Sequence, residues 1–234
     1  IYNNSWVRNY SCLSGEGWSV DLSVGSYYAI YNTEYAEFKA INRTITITPP
    51  NYTFWALNHT INDNDASEIN LTNDYYYDPA YDEAFANGIA INRKVTINGN
   101  GYTIDAKGKA RVFNVQADDV TIENLTIKNA NYNGDGGAVY FAKSGRAINC
   151  NFTNNQATGD FSCGGAIYFR SNGNVTNCNF TGNEAIARNY ASGGAIYMGS
   201  GTVTNCNFTA NKATGVYSWA GAIYMGSGTV TNCN

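Results

Sequence analysis

The sequence predicts an all-β fold: a right-handed single-stranded parallel β-helix with an N-terminal capping helix and a small N-terminal β-rich segment. Three observations carry this. A motif recurs three times and begins a fourth, each copy contains two runs that alternate apolar and polar, and the composition suits short strands joined by tight turns. Asn numbers 35, Gly 24 and Tyr 19 among 234 residues, Pro only 3, and 14 % of residues are charged.

The repeats are read first, because a period of 20–50 residues decides the architecture. Gly136–Cys163 reads GGAVYFAKSGRAINCNFTNNQATGDFSC. Gly164–Ser192 reads GGAIYFRSNGNVTNCNFTGNEAIARNYAS, and Gly193–Trp219 reads GGAIYMGSGTVTNCNFTANKATGVYSW. Ala220–Asn234 starts a fourth copy and stops within it, which reads as a processed or truncated piece of a longer protein.

In the first run of each repeat, Val139/Phe141, Ile167/Phe169, Ile196/Met198 and Ile223/Met225 share one face. That face is the better core, so Tyr140, Tyr168, Tyr197 and Tyr224 point outward. The second run, VTNCNF, places Cys178 and Phe180 inside after a bend at Asn177. No single repeat can bury its apolar face alone, so the coils must stack, at ~4.8 Å per coil. Stacking turns Asn149, Asn177, Asn205 and Asn232 into an asparagine ladder and Cys150, Cys178, Cys206 and Cys233 into a thiol ladder.

Upstream, Val95–Ala106, Arg111–Val115 and Val120–Ala130 alternate in the same way, and Leu125 and Ile127 occupy the Cys and Phe slots. The solenoid is therefore assigned to 89–234. Within 51–88, Thr53–Asn62 sets Phe54, Leu57 and Ile61 at helical spacing, a capping helix for the open edge of the first coil. Residues 1–50, with alternating stretches at Trp18–Val24 and Thr44–Thr48, form the N-terminal β-rich segment.

GGA[IV]Y followed by NCNFTxN resembles the GGAI/FxxN repeats of chlamydial polymorphic outer membrane proteins. Together with VTINGNGYTIDA it looks like the adhesin-like surface proteins of methanogenic archaea. The resemblance covers 88–234 well and 53–88 through the cap, whereas residues 1–50 match neither. It implies a secreted, surface-displayed solenoid with a role in attachment, and fold alone does not fix function.

The charge balance, net −4, gives no basic footprint for nucleic acid. No apolar run approaches the length of a membrane span. Glycosidic cleavage needs two carboxylates facing one groove, but Asp105, Asp118, Asp119, Glu123 and Asp135 fall on different coils or turns, and Asp160 and Glu184 lie in loops. The sole histidine, His59, sits on the cap. No catalytic residue, cofactor or metal ligand set is assigned. Asn62–Asp65 lacks the Gly and bidentate Glu of a calcium loop, and the laddered cysteines lie a coil apart with no His nearby.

Binding is assigned instead to the outward stripe Tyr140, Tyr168, Tyr197 and Tyr224 and to Phe161, Tyr190, Tyr217 and Trp219, one aromatic-bearing loop per coil. Eleven Asn-x-Ser/Thr sequons point outside the cell; Asn3, Asn9, Asn42, Asn51, Asn58 and Asn70 are the candidate glycosylation sites ahead of the solenoid strands. Cys12 and Cys163 lie off the thiol ladder and are a candidate disulfide.

The leading reading is a non-enzymatic, extracellular, cell-surface adhesin whose partners are glycans or proteins of other cells. The alternatives are a structural subunit self-assembling into a surface filament or layer, and a polysaccharide-active β-helix enzyme.

Overall fold

The computed structural model describes residues 50–234 and, before them, the backbone of four short strands, Tyr2–Asn3, Ser5–Trp6, Ser26–Ala29 and Arg43–Thr46. These four pair antiparallel, with Ser26–Ala29 between Tyr2–Asn3 and Arg43–Thr46. The chain divides into two compact units, Ile1–Pro50 and Asn51–Asn234. The alternating stretch Trp18–Val24 lies outside the described residues.

The second unit is a parallel β-solenoid of about six turns with a helix at its N-terminal end. Four ladders run along it. The first holds Ile89–Ile91, Phe113–Val115, Val139–Phe141 and the first halves of Ile167–Thr176, Ile196–Thr204 and Ile223–Thr231. The second holds Glu68–Asn70, Thr96–Asn98, Val120–Glu123, Gly145–Ile148 and the later halves of the same three long strands. The third runs from Tyr75–Tyr76 through Thr103–Asp105, Thr126–Lys128, Asn151–Thr153 and Asn179–Thr181 to Asn207–Thr209. The fourth contains Asn131–Asn133, Gln156–Cys163, Glu184–Ser192, Lys212–Thr214 and Tyr217–Trp219. The ladders reach back to Glu68, upstream of the Ile89 start read from the repeats.

The solenoid pairings keep like residues in register, apart from shifts at Gly159/Phe161 and Phe169/Asn172, so like residues stack. Phe141 and Phe169 lie 4.5 Å apart, ring centre to ring centre, and Phe152, Phe180 and Phe208 follow one another at 5.0 Å. The first four of these rings are fully buried, and each fully buried ring of this kind contributes roughly 2–3 kcal/mol through removal of apolar area from water. Cys150, Cys178 and Cys206 fill the same core, and the N–H of each donates to the Sγ one coil on at 3.4 Å.

The corner between second and third ladders requires a left-handed residue. Asn124, Asn149, Asn177, Asn205 and Asn232 adopt it with φ of 52–55°. Asparagine tolerates that region better than other non-glycine residues. Each also donates its Nδ2 to the Oδ1 of the preceding coil at 3.1–3.3 Å, down to Asn98 and Asn70. A second, buried asparagine column escaped the sequence reading. Asn155 and Asn183 are fully buried; their Nδ2 atoms donate to Asn183 and Asn211 Oδ1 and also to the carbonyls of Ile127 and Phe152. Its signal was in plain view as the last residue of NCNFTxN.

The helix Phe54–Asn62 begins where the spacing predicts, with Thr53 Oγ1 accepting from the Ala56 N–H. Its Phe54, Leu57 and Ile61 are buried against the first coil. The Asn62–Asp65 loop that follows is fastened by Arg93, which donates to the carbonyls of Ile61, Asn64 and Ala66.

Candidate functional site

The fourth ladder is where this solenoid departs from a plain prism. Gln156–Cys163 and Glu184–Ser192 are strands, not the aromatic-bearing loops expected from the sequence. Their register shifts between Gly159 and Phe161, and the chain leaving each segment returns to the start of the next coil's segment, which is itself paired with the start of its own. A Cβ on Gly165 would meet Glu184 backbone atoms at 2.5–2.6 Å, and one on Gly194 would meet Lys212 at 2.4 Å. Eight residues of extended strand cannot have touching ends, so each segment is an arch of two limbs. Stacked arches make a fin that stands off the solenoid. Ala185, Ala187 and Ala191 are buried between its limbs, with Ala213 packed on them, and form a core separate from the main one. The second glycine of each GGA motif is thus explained: only glycine fits where the base of the arch is pinched.

Period-2 alternation then sorts the fin's side chains. On the second limb, Phe161, Tyr190 and Tyr217 occupy one register position in three successive coils. Cys163, Ser192 and Trp219 share that face two residues on. Between them Ser162 and Ala191 point into the fin and are buried; the hydroxyls of Ser162 and Ser192 have no hydrogen-bond partner.

The tyrosines of the first ladder lie beside this face. Tyr140, Tyr168, Tyr197 and Tyr224 stack at 5.3, 4.9 and 4.9 Å with planes within 7° of parallel. They do not form the flat open stripe expected, because the fin's second limb returns over them and leaves the rings half-buried. Burial, with Asp135 nearby, pushes the Tyr168 hydroxyl up to about 12. Trp219 stacks over Tyr224 at 6.5 Å, and Tyr190 meets Trp219 edge-on at 4.5 Å. Body and fin therefore enclose a trough with a tyrosine floor and an aromatic wall. Its wall is the exposed part: Phe161 is 67 %, Tyr217 64 % and Trp219 50 % exposed.

A residue the sequence reading missed closes one end of the tyrosine column. The Arg111 guanidinium lies 3.6 Å from the Tyr132 ring centre and 5.2 Å from that of Tyr140. It is 5 % exposed and donates to the carbonyls of Gly136 at 2.9 Å and Asp135 at 2.5 Å. Burial lowers its pKa to about 10, so it stays cationic at neutral pH. No spacing rule flags a lone Arg; only the tertiary contacts reveal it.

Asp105, Asp118, Asp119 and Asp135 each have local partners. Asp105 pairs with Lys107 and Lys128, Asp118 accepts from Ser144, Asp119 pairs with Lys94, and Asp135 accepts from the Cys163 N–H. Burial pushes the Cys163 thiol up to about 12, and it has no disulfide partner among the described residues; Cys12 lies outside them. The side chains of Asn3, Asn9 and Asn42 also lie outside the described residues. Asn51 is exposed, whereas Asn58 accepts from Asn62 and Asn70 accepts from Asn98.

These features define a class: a parallel β-solenoid of about six stacked turns. The comparisons agree with that class. Residues 52–187 match the model of the pectate lyase-like adhesive domain family, and the chain belongs to that family. No curated protein and no solved structure matches it.

Proposed function

We propose that this protein is a non-enzymatic, cell-surface adhesive module that holds its partners, surface glycans or proteins of other cells, in the trough between body and fin. The single observation behind this reading is the register-matched column Phe161, Tyr190 and Tyr217 beside the stacked tyrosines. Aromatic faces repeated at ~4.8 Å offer a continuous surface for stacking on sugar rings or anchoring a protein interface. Family membership supports attachment, and the scattered, individually engaged carboxylates support binding over cleavage. No helix among the described residues is long and apolar enough to cross a membrane.

The test is adherence of chain-coated beads to a panel of cells, with and without Phe161→Ser, Tyr217→Ser and Trp219→Ser together. These side chains are at least half exposed, so the fold should survive. Adherence lost in the triple variant is the expected result. Adherence that persists unchanged, or release of sugar from a polysaccharide substrate, would overturn the reading.

A further inference from the structure

An open cleft of about 490 Å³ is lined by Asn133, Thr158, Gly159, Asp160, Ile186, Ala187 and Arg188, none of them an aromatic residue of the trough. Its volume falls within the roughly 300–1,000 Å³ typical of small-ligand sites. Three features of its lining specify a ligand chemistry.

The first is a matched pair at the rim: Arg188 Nη1 lies 3.5 Å from Asp160 Oδ1. A carboxylate that accepts and a guanidinium that donates, side by side, can together bind adjacent hydroxyl groups. Because each charge already faces its opposite, the pair is net neutral and offers neither a ligand carboxylate nor a ligand ammonium a net attraction. A neutral polyhydroxyl ligand upsets neither charge. The second is the half-buried side chain of Ile186, against which the C–H face of a pyranose ring can rest while its hydroxyls meet the rim and the Asn133 amide. The third is Gly159. A Cβ there would come within 2.8 Å of Asn133 Oδ1, and its φ of 145° excludes side chains on backbone grounds too. The cleft is open where these two residues meet because this position carries no side chain.

We infer that this cleft is a binding site for a neutral hexose unit of a glycan, with Asp160 and Arg188 gripping a vicinal diol and Ile186 lying under the ring. It rests on the attachment reading only in taking a glycan as the ligand class, and it uses different residues.

The test is binding of the full chain to an array of neutral mono- to trisaccharides and polygalacturonate fragments, with affinities by calorimetry. Asp160 and Arg188 have side chains 62 % and 85 % exposed, so Asp160→Asn and Arg188→Gln should fold normally, and far-ultraviolet dichroism checks this. A neutral oligosaccharide should bind, and each substitution should weaken it about tenfold, the loss of one charge-assisted hydrogen bond. Binding confined to polygalacturonate, no binding to any neutral sugar, or affinity unchanged in both variants overturns the inference. If array binding instead falls only with the Phe161, Tyr217 and Trp219 triple variant, the ligand sits in the trough: the attachment reading stands and the cleft site fails. If cell adherence is absent while the cleft variants still lose sugar affinity, the reverse holds.

Discussion

Asp82 Oδ2 accepts the backbone N–H of Phe54 at 2.9 Å, across 28 residues of chain. Its Oδ1 accepts from Trp55 at 2.7 Å and its Oδ2 from Asp78 at 2.8 Å. One fully buried carboxylate thus satisfies two orphan donors of the capping helix and ties that helix to the first coils. Asp82→Ala should strand three donors and cost about 3 kcal/mol. Asp82→Asn, which keeps one acceptor oxygen, should cost less. Urea midpoints of the three proteins check the ordering; equal midpoints would rule out the tie.

A second carboxylate sets the acid limb of stability. Burial of Asp105 favours its neutral form, but Asn129 Nδ2, the Lys107 N–H and the Lys107 ammonium outweigh it and hold its pKa below the ordinary 3.8. With the folded value depressed, its contribution is fully present above the unfolded value and is lost as pH falls through the folded one. Stability measured from pH 6 down to pH 2 should therefore drop more steeply in the native chain than in Asp105→Asn. Parallel curves would show that Asp105 carries no such linkage.

The two asparagine ladders should respond very differently to one change. In Asn183→Asp a carboxylate would face the Phe152 carbonyl and Asn211 Oδ1, both acceptors, inside the core. The loss should exceed about 3 kcal/mol. Asn177→Asp, on the exposed ladder, should cost under about 1 kcal/mol because water reaches it. Thermal melts at pH 7 compare them, and similar shifts would contradict the buried/exposed distinction.

Ser162 offers a change in the other direction. Its hydroxyl is buried inside the fin without a partner, while its neighbour in the next coil at the same register is already Ala191. Ser162→Ala should raise stability by about 1 kcal/mol, since an unsatisfied buried hydroxyl carries a desolvation cost with no return. A lowered melting temperature would mean that the hydroxyl has a bond partner.

Much of this molecule was legible before any coordinate. The core register from Val139 to Met225, the Asn177 corner, the helix starting after Thr53 and the outward tyrosines all follow from local rules: alternation, spacing, capping and the left-handed tolerance of asparagine. Each is a property of a few neighbouring residues repeated once per coil, and repetition converts a local preference into a ladder.

The site was less legible, and for a physical reason. Whether Phe161, Tyr190 and Tyr217 sit on loops or strands depends on pairing with residues about 28 positions away, and alternation is broken there by the shift at Gly159. The half-burial of the tyrosine row, the seating of Arg111 between Tyr132 and Tyr140, and the Asp160–Arg188 cleft all arise where the fin folds back on the body. Sequence alone determined the solenoid, because its period is written in every coil. Only the tertiary structure decided that the fourth wall arches outward into a fin, with its aromatic column beside the tyrosines and with Asp160 and Arg188 among the residues lining a cleft. That arch is set by glycines pinched between backbones of adjacent coils: the Gly-Gly pair is visible in each repeat, but the backbones that pinch it are supplied only by stacking.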